Sequence, residues 1–364
     1  MDLEEKLDLI KRPPTEEIVV ESELRELLET NSKPKHYIGF EISGLLHVGS
    51  LVQSGFKIRD FQKAGVQTTV FLADWHSVIN NKLGGDWTAI KKAGEYYAKA
   101  FEFFCPGVKV IFGSDLYEKT LEYWANVVRF SKNVTLARDV RCLTIMGRSE
   151  SDKLDLAQYF YPPMQATDIH ALDVDIAHAG MDQRKVHMLA REVFPKLKWK
   201  PFVAVHHSLL PGLAEPEKTK NGEKKKSASE EKEKIAAMKM SKSKPWTAIF
   251  IHDSKKEIEE KLAKAYCPPR VVENNPVLEF ARQLVFHEFK ELRVERPSKF
   301  GGDVTYSSFT NLEKDFVEGK LHPTDLKKAV ANALDEIIAP IRAHFEKPEF
   351  KKLLDVYGKV EVTR

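Results

Sequence analysis

The sequence predicts an α/β protein, a parallel sheet covered by helices, followed by a mainly helical C-terminal domain. Three observations lead there. Short apolar runs of strand type alternate with longer helical stretches up to about residue 205, the pattern of a parallel sheet. Two of those runs end in a glycine-containing loop that opens a helical stretch. After residue 255 the strand runs stop and the apolar spacing turns helical.

Taken in order, residues 1–30 read as helices, with Ser22 as a candidate N-cap and Glu23 in the first turn near the positive dipole end. Arg25 stands where a capping box calls for Glu or Gln. His36–Phe40 is a strand, residues 41–44 a loop, and Val48–Lys63 a helical stretch. Thr68–Asp74 is a second buried strand, 88–104 a helix and Val108–Phe112 a third strand. Ser151–Gln158 and Met164–His170 have helical spacing, Val174–Ala179 is a strand, Val186–Val193 a helix and Phe202–Val205 a strand. Residues 215–235 carry no large apolar residue before Ile235 and read as a solvated insertion, with contact to RNA as the second reading. Ala248–Ile251 is strand-like, Pro268–Pro276 a loop, and Asp325–His344 a long amphipathic helix. The resulting division is an α/β domain over 1–214 with a connective insertion near 113–150, the charged insertion 215–235, a linker 236–264 and a C-terminal domain 265–364.

Composition narrows the class. Of 364 residues, 42% are hydrophobic and 30% charged, the balance of a soluble globular chain. No apolar run reaches the roughly 20 residues a membrane span needs. The charged N-terminus lacks an apolar signal core, so a cytoplasmic location is expected. The three cysteines, Cys105, Cys142 and Cys267, form no Cys-x-x-Cys pair, so neither a disulfide framework nor a protein-held metal is expected. With a net charge of only +3, any nucleic-acid surface must come from clustered basic residues.

Five stretches carry chemistry. In residues 39–50, GFEISGLLHVGS, a strand leads through a loop to a helix start. Backbone N–H groups and the helix dipole there favour phosphate. His47 is placed to donate to a phosphate oxygen, and Gly49 allows close approach of a nucleotide. An ordinary strand-to-helix turn with a surface histidine fits the string equally well. In Lys239-Met240-Ser241-Lys242-Ser243, two ammonium groups suit the charge of departing pyrophosphate. A lysine-rich continuation of the preceding loop is the alternative, although Met240 interrupts the polar tract. In residues 161–170, YPPMQATDIH, Pro162 and Pro163 suit a first helical turn. Tyr161, Gln165 and Asp168 then share one face, offering a phenol, an amide and a carboxylate. A buried carboxylate requires a partner, which a substrate hydroxyl supplies. The polar outer face of a surface helix is the competing reading. In residues 179–187, AGMDQRKVH, Gln183 falls just beyond a strand's carboxyl end, where open parallel sheets bind ligands, and Asp182 is the better cap. Near the C-terminus, residues 296–303 form a basic loop in which Phe300 suits base stacking. His322 and Asp325, at a helix start, suit hydrogen bonds to base edges. Loop packing and helix capping explain these three as well.

The first two strings resemble the paired His-x-Gly-His and Lys-Met-Ser-Lys-Ser signatures of class I aminoacyl-tRNA synthetases. The second match is complete, and the first departs where Ser50 replaces the final histidine. YIGFE at 37–41, LADWH at 72–76, YPPMQATDI at 161–169 and GMDQRK at 180–185 resemble the archaeal and eukaryotic tyrosyl-tRNA synthetases, the archaeal ones most. The resemblance covers the chain apart from the insertion. It implies a Rossmann-like catalytic domain, a C-terminal anticodon-binding domain, and activation of tyrosine by ATP before transfer to tRNA(Tyr). It implies that Tyr37 and Asp168 hold the substrate phenol, that Tyr161, Gln165 and Gln183 hold its α-ammonium, and that Phe71 and His76 line the pocket. Gly39, Glu41, His47, Gly49, Lys239, Met240, Ser241, Lys242 and Ser243 would meet ATP, with Mg²⁺ bound through its phosphates. His47, Ser50, Lys239 and Lys242 would serve the chemical step. Phe300, His322 and Asp325 would read the anticodon, and Arg184 and Lys185 would face the acceptor stem. A family glutamine falls near Tyr117, which is left without a role. The family is homodimeric, and Val127-Val128 and Leu143–Met146 are apolar stretches that either pair across a two-fold axis or pack within the subunit.

Overall fold

This computed structural model describes residues 1–147, 153–215 and 245–358. The chain divides into two compact units. The first holds residues 1–44, 57–208 and the C-terminal segment from Lys352, and the second holds residues 45–56 and 209–351.

The first unit opens with α1 (Leu3–Lys11), fixed by a reciprocal capping box between Asp2 and Glu5. The helical expectation for residues 1–30 holds for Leu3–Lys11 and Glu21–Thr30 and fails between them. A strand, β1 (Thr15–Val19), precedes α2 (Glu21–Thr30). β1 is short and only half-buried, so its two glutamates mask the strand pattern, and pairing with a distant strand decides its conformation. Ser22 is not the cap either. Val20, in the left-handed region at φ 66°, precedes the helix with no side-chain cap bond.

The next elements follow the expected order. β2 (Lys35–Phe40) leads through the 41–48 loop and a π-helical turn, Gly49–Gln53, into α3 (Ser54–Lys63). β3 (Gln67–Leu72) stops short of Asp74, which opens the unanticipated α4 (Asp74–Ile79). Then come α5 (Trp87–Phe104), β4 (Lys109–Phe112), α6 (Gly113–Lys119), α7 (Tyr123–Ser131) and α8 (Leu136–Cys142). Of the helical spacing at 151–158, residues 151–152 lie outside the described residues, and Leu156–Phe160 forms a 3-10 turn. α9 (Tyr161–Ala171), β5 (Ile176–Gly180), α10 (Arg184–Leu197) and β6 (Val203–His207) complete the layer.

The six strands form one sheet in the order β1-β6-β5-β2-β3-β4. All neighbours are parallel except β1, which runs antiparallel to β6. One apolar layer packs α1, α2 and α3 on the sheet through Leu7, Ile10, Leu24 and Phe61 against Ile176, Val203 and Val205. Another joins Tyr37, Phe71 and Ala177 to side chains of α7, α9 and α10. The chain leaves β2 towards β3 on one side and later returns to pair β5 on the other. The carboxyl ends of β2 and β5 therefore flank a topological switch point, the crevice where open α/β sheets bind ligands.

Three histidines cross this sheet in a buried row. His36 Nε2 lies 3.1 Å from His178 Nδ1, and His178 Nε2 lies 2.8 Å from His207 Nδ1. Burial pushes the His36 pKa down to about 3 and that of His207 to about 4.

In the second unit, residues 45–50 pack on residues 249–251. Val48 N donates to Ile249 O at 2.9 Å and Ile251 N donates to Leu46 O at 3.2 Å. The strand expected over Ala248–Ile251 is reduced to a single bridge between Phe250 and His47, because the chain turns at once and Phe250 N donates to Asp253 Oδ2. The helix Lys255–Lys264, capped reciprocally by Ser254 and Glu257, packs along the long helix Pro323–Glu346. The long helix exceeds its expected span by two residues at each end, with Pro323 at its first position. A two-stranded antiparallel hairpin, β7 (Leu292–Val294) with β8 (Val304–Tyr306), adds sheet to this mainly helical part.

Candidate active site

The site in the first unit starts at β2 and β3. Tyr37 and Phe71 are buried with their rings edge-on, centroids 6.3 Å apart. Between them Gly39 is exposed although it lies on an interior strand. A Cβ there would stand 3.5 Å from the Tyr37 ring and 3.8 Å from that of Phe71. The glycine therefore leaves open ground beside two aromatic walls, a setting for an aromatic ligand.

α9 supplies the polar groups. Tyr161 opens the helix and Pro162 and Pro163 occupy its first turn, as expected. Nearly all of the helix is buried, which removes the surface-helix reading. Asp168 is 1% exposed. Its Oδ1 accepts a hydrogen bond from Tyr123 Oη at 2.7 Å, and its Oδ2 lies 3.7 Å from His76 Nε2. Burial drives the Asp168 carboxyl up to about 8, opposed by the phenols of Tyr123 and Tyr117. Burial likewise raises the pKa of the Tyr37 hydroxyl, and the charge of Asp168 raises it further. His76, driven down to about 3 by burial, is neutral, and its Nε2 finds no hydrogen-bond partner among the described residues. Its ring meets that of Tyr161 edge-on at 4.5 Å.

Tyr123 is the residue the sequence did not disclose. It lies 45 positions from Asp168, in a helix without a motif. Tyr117 stacks on it, with centroids 3.9 Å apart and planes 21° apart, and its Oη lies 3.5 Å from His76 Nδ1. Gly113 makes room for this group, since a Cβ there would lie 2.9 Å from Asp74 Oδ1 and 3.2 Å from the Tyr117 hydroxyl.

The other end of the site is more exposed, with Glu41, Gln165 and Gln183 only partly buried. Gln165 Nε2 donates to Gln183 Oε1 at 3.2 Å, and Gln183 Nε2 donates to Ile145 O at 3.0 Å. Tyr161 Oη donates to Glu41 Oε1 at 3.4 Å, which also accepts from Asn80 Nδ2 at 2.7 Å, while Lys82 pairs with Glu41 Oε2 at 3.4 Å. Partly exposed amide and carboxylate oxygens collected in this way suit a cationic group. The N-cap positions of the Met181–Gln183 turn and of α10 are Gly180 and Gln183, so Asp182, the cap expected from the sequence, stands inside the turn.

In the second unit, His47 Nδ1 accepts from Gly49 N at 3.1 Å and from Ser50 N at 3.2 Å. An Nδ1 that accepts leaves the proton of the neutral ring on Nε2. Two of the backbone N–H groups at this helix start, expected to be free for phosphate, are thus already engaged by the imidazole. Ser50 Oγ closes the turn from the other side, accepting from His47 N at 2.9 Å and donating to His47 O at 3.0 Å. Lys239, Met240, Ser241, Lys242 and Ser243 lie outside the described residues. The chain that follows them returns at residues 249–251 to the His47 loop.

The nucleic-acid candidates are scattered. Arg184 Nε donates to Glu17 Oε2 at 2.7 Å, and Lys185 Nζ donates to Thr144 Oγ1 at 3.2 Å, so both cations have partners within the chain. Phe300 ends a 3-10 turn in the hairpin loop, and its side chain lies outside the described residues. His322 is exposed and caps the long helix, its Nδ1 accepting from Thr324 N at 3.2 Å. That cap was expected of Asp325, which sits half-exposed in the first turn. Leu143, Ile145 and Met146 pack internally on Tyr161 and Val186, whereas Val128, Trp124 and Leu121 are exposed on or beside α7.

The chain is similar to known proteins along its whole length. The profile of tRNA synthetases class I (W and Y) matches residues 29–339. The chain belongs to that family. The tyrosine--tRNA ligase of Thermococcus sibiricus is 50% identical over 386 residues, covering 100% of both chains, and that of Pyrococcus furiosus is 49% identical over 383 residues with the same coverage. The crystal structure of the Pyrococcus horikoshii tyrosyl-tRNA synthetase complexed with L-tyrosine superposes with a TM-score of 0.88 at 48% identity, over 98% of this chain and 100% of that one. The Aeropyrum pernix tyrosyl-tRNA synthetase follows at 0.84 and 39%, over 99% and 100%. Within the class I family, this chain is of the archaeal tyrosyl-tRNA synthetase type.

Proposed function

We infer that the chain activates L-tyrosine with ATP, releases pyrophosphate, and transfers the tyrosyl group to the 3′ end of tRNA(Tyr). The observation that carries the tyrosine reading is the pocket of the first unit, where buried Tyr37 and Asp168 flank the open surface over Gly39. There Tyr37 and Asp168 take the substrate phenol, Phe71 and His76 wall its ring, and Tyr161, Gln165 and Gln183 take its α-ammonium. Phenylalanine offers no hydroxyl to the buried Tyr37 phenol or to the Asp168 oxygen that Tyr123 does not hold, which costs more than the hydrogen bond itself returns.

The tyrosine carboxylate attacks the α-phosphorus in line, the bond to the β-phosphate oxygen breaks, and pyrophosphate leaves. A ribose hydroxyl of the tRNA then attacks the acyl carbon and expels AMP. Positioning and charge stabilisation do most of the work. His47 donates from Nε2, Ser50 fixes the His47 turn, and Gly39, Glu41 and Gly49 border the nucleotide. Lys239 and Lys242, supported by Met240, Ser241 and Ser243, neutralise the phosphates, with Mg²⁺ bound through them. Residues 1–214 form the catalytic domain and 265–364 the anticodon-binding domain, where Phe300, His322 and Asp325 read bases. Arg184 and Lys185 face the acceptor stem after exchanging their internal partners. The protein works in the cytoplasm as a homodimer, paired through Leu121, Trp124 and Val128, and Val128→Asp is expected to yield a monomer by sedimentation.

The deciding experiment is ATP–pyrophosphate exchange with tyrosine, phenylalanine and tryptophan run side by side without tRNA. Exchange with tyrosine alone is expected. Exchange with tryptophan instead would keep the chemistry and overturn the pocket assignment.

A further inference from the structure

The assigned roles leave two phenols unused at the most buried point of the site. Tyr117 and Tyr123 are both buried and stacked ring on ring. Tyr123 Oη spends its proton on Asp168 Oδ1 at 2.7 Å, the shortest bond made to that carboxyl. Tyr117 Oη reaches towards His76 Nδ1, and His76 Nε2 in turn stands 3.7 Å from Asp168 Oδ2. One carboxyl oxygen is thus committed to Tyr123, while the second faces a histidine nitrogen that has no hydrogen-bond partner among the described residues. A carboxylate with one oxygen anchored has its plane fixed, and only its other oxygen remains to meet an incoming hydroxyl. The stack fixes the anchor in turn. Tyr117 blocks one face of the Tyr123 ring, Trp124 meets both rings edge-on at 5.8 and 5.2 Å, and Gly113 leaves the Tyr117 hydroxyl room, since a Cβ there would lie 3.2 Å from it.

We propose that Tyr123, held by its stack on Tyr117, is a positioning residue that orients the Asp168 carboxyl, so that the pair sets how strongly the site prefers tyrosine to phenylalanine. The proposal rests on the reading of Asp168 as the group that meets the substrate phenol. The groups facing Asp168 are Tyr123, Tyr117, Tyr37 and His76, with Asp74 and Tyr161 further out. Of these, Tyr123 and Tyr117 hold the carboxyl's pKa down, and Asp74 pushes it up.

The test compares the full-length protein with Tyr123→Phe, Tyr117→Phe and Asp168→Asn in ATP–pyrophosphate exchange, with tyrosine and phenylalanine as separate substrates. Phenylalanine at 123 or 117 keeps the ring and the stack and removes only the hydroxyl. Tyr123→Phe is expected to lower the tyrosine-over-phenylalanine ratio of kcat/KM roughly tenfold to a hundredfold, the range for a buried polar group left short of a hydrogen-bond partner. The loss falls on KM for tyrosine, with kcat at saturation within about threefold. The pH midpoint of the tyrosine KM is expected to rise, because the carboxyl loses a donor that holds its pKa down. Tyr117→Phe is expected to move both readouts less and in the same direction, and it carries the test alone if Tyr123→Phe does not fold. Unchanged selectivity and midpoint in both tyrosine variants, beside a collapse in Asp168→Asn, overturns the pair and leaves the Asp168 reading standing. Equal losses with both amino acids and an unmoved midpoint show a structural role only and overturn the proposal too. Retained selectivity in Asp168→Asn sinks the Asp168 reading and this proposal with it.

Discussion

The pocket around Asp168 and the face around His322 use polar side chains in opposite ways. In the first, a carboxyl, a histidine and three phenols are buried together, and each is shifted in pKa by the loss of water. In the second, an exposed histidine and a half-exposed aspartate stand at a helix start and a basic loop spans a hairpin. A small ligand is recognised by groups whose desolvation was completed on folding, so their mutual contacts already outline the missing partner. A nucleic-acid partner desolvates its contacts only on arrival, so the free protein shows capping and surface chemistry in their place.

The comparison breaks most visibly if removal of a buried group proves mild. Asp168→Ala is expected to lower kcat/KM for tyrosine in pyrophosphate exchange by about a hundredfold or more, since it strips the phenol of its main buried partner. A loss of only a few fold would place recognition elsewhere. His47→Ala is expected to lower the activation kcat by about a hundredfold while sparing the KM for tyrosine, because its donor acts on charge that develops during the reaction. Equal loss in both terms would remove that role. The histidine row offers a stability test of the same principle. His36 is neutral in the fold, with a pKa near 3 against 6.5 when unfolded, so the unfolded chain binds more protons between those values. Stability is therefore full above about pH 6.5 and declines as pH falls towards 3, by roughly 2 kcal/mol for this ring between pH 6.5 and 5. Thermal melts of wild type and His36→Phe at pH 7 and 5 measure it, and parallel shifts in the two proteins would exclude the ring as the cause. The smallest effect is expected at the exposed face. His322→Ala and Asp325→Ala should each lower kcat/KM for tRNA charging about tenfold and leave tRNA-free exchange unchanged. A change in exchange would tie that helix start to the first unit's chemistry.

The same contrast explains what the sequence revealed. β2, β3, β5 and β6 were legible because most of their residues are buried, so each carries a short apolar run. Tyr161, Gln165 and Asp168 were legible because helical spacing alone puts them on one face. Tyr123 was not, since its bond to Asp168 joins two helices and no local spacing records it. The histidine row escaped for the same reason, as it exists only through the register of three strands. Ala248–Ile251 misled because its apolar side chains are buried by a turn and not by a sheet. The roles of Phe300, His322 and Asp325 came from resemblance to relatives, and local geometry by itself gives His322 a capping role.

β1 has a consequence for life at high concentration. Were β6 the last strand, a fully buried, β-branched run ending in two histidines would offer its free backbone groups to any passing chain. The five residues of β1 cover it with a short antiparallel strand that carries two glutamates, follows a proline pair and breaks register between Thr15 and Glu17. Such a border pairs poorly with another copy. A segment that adds nothing to the pocket thus guards the sheet against being extended from outside.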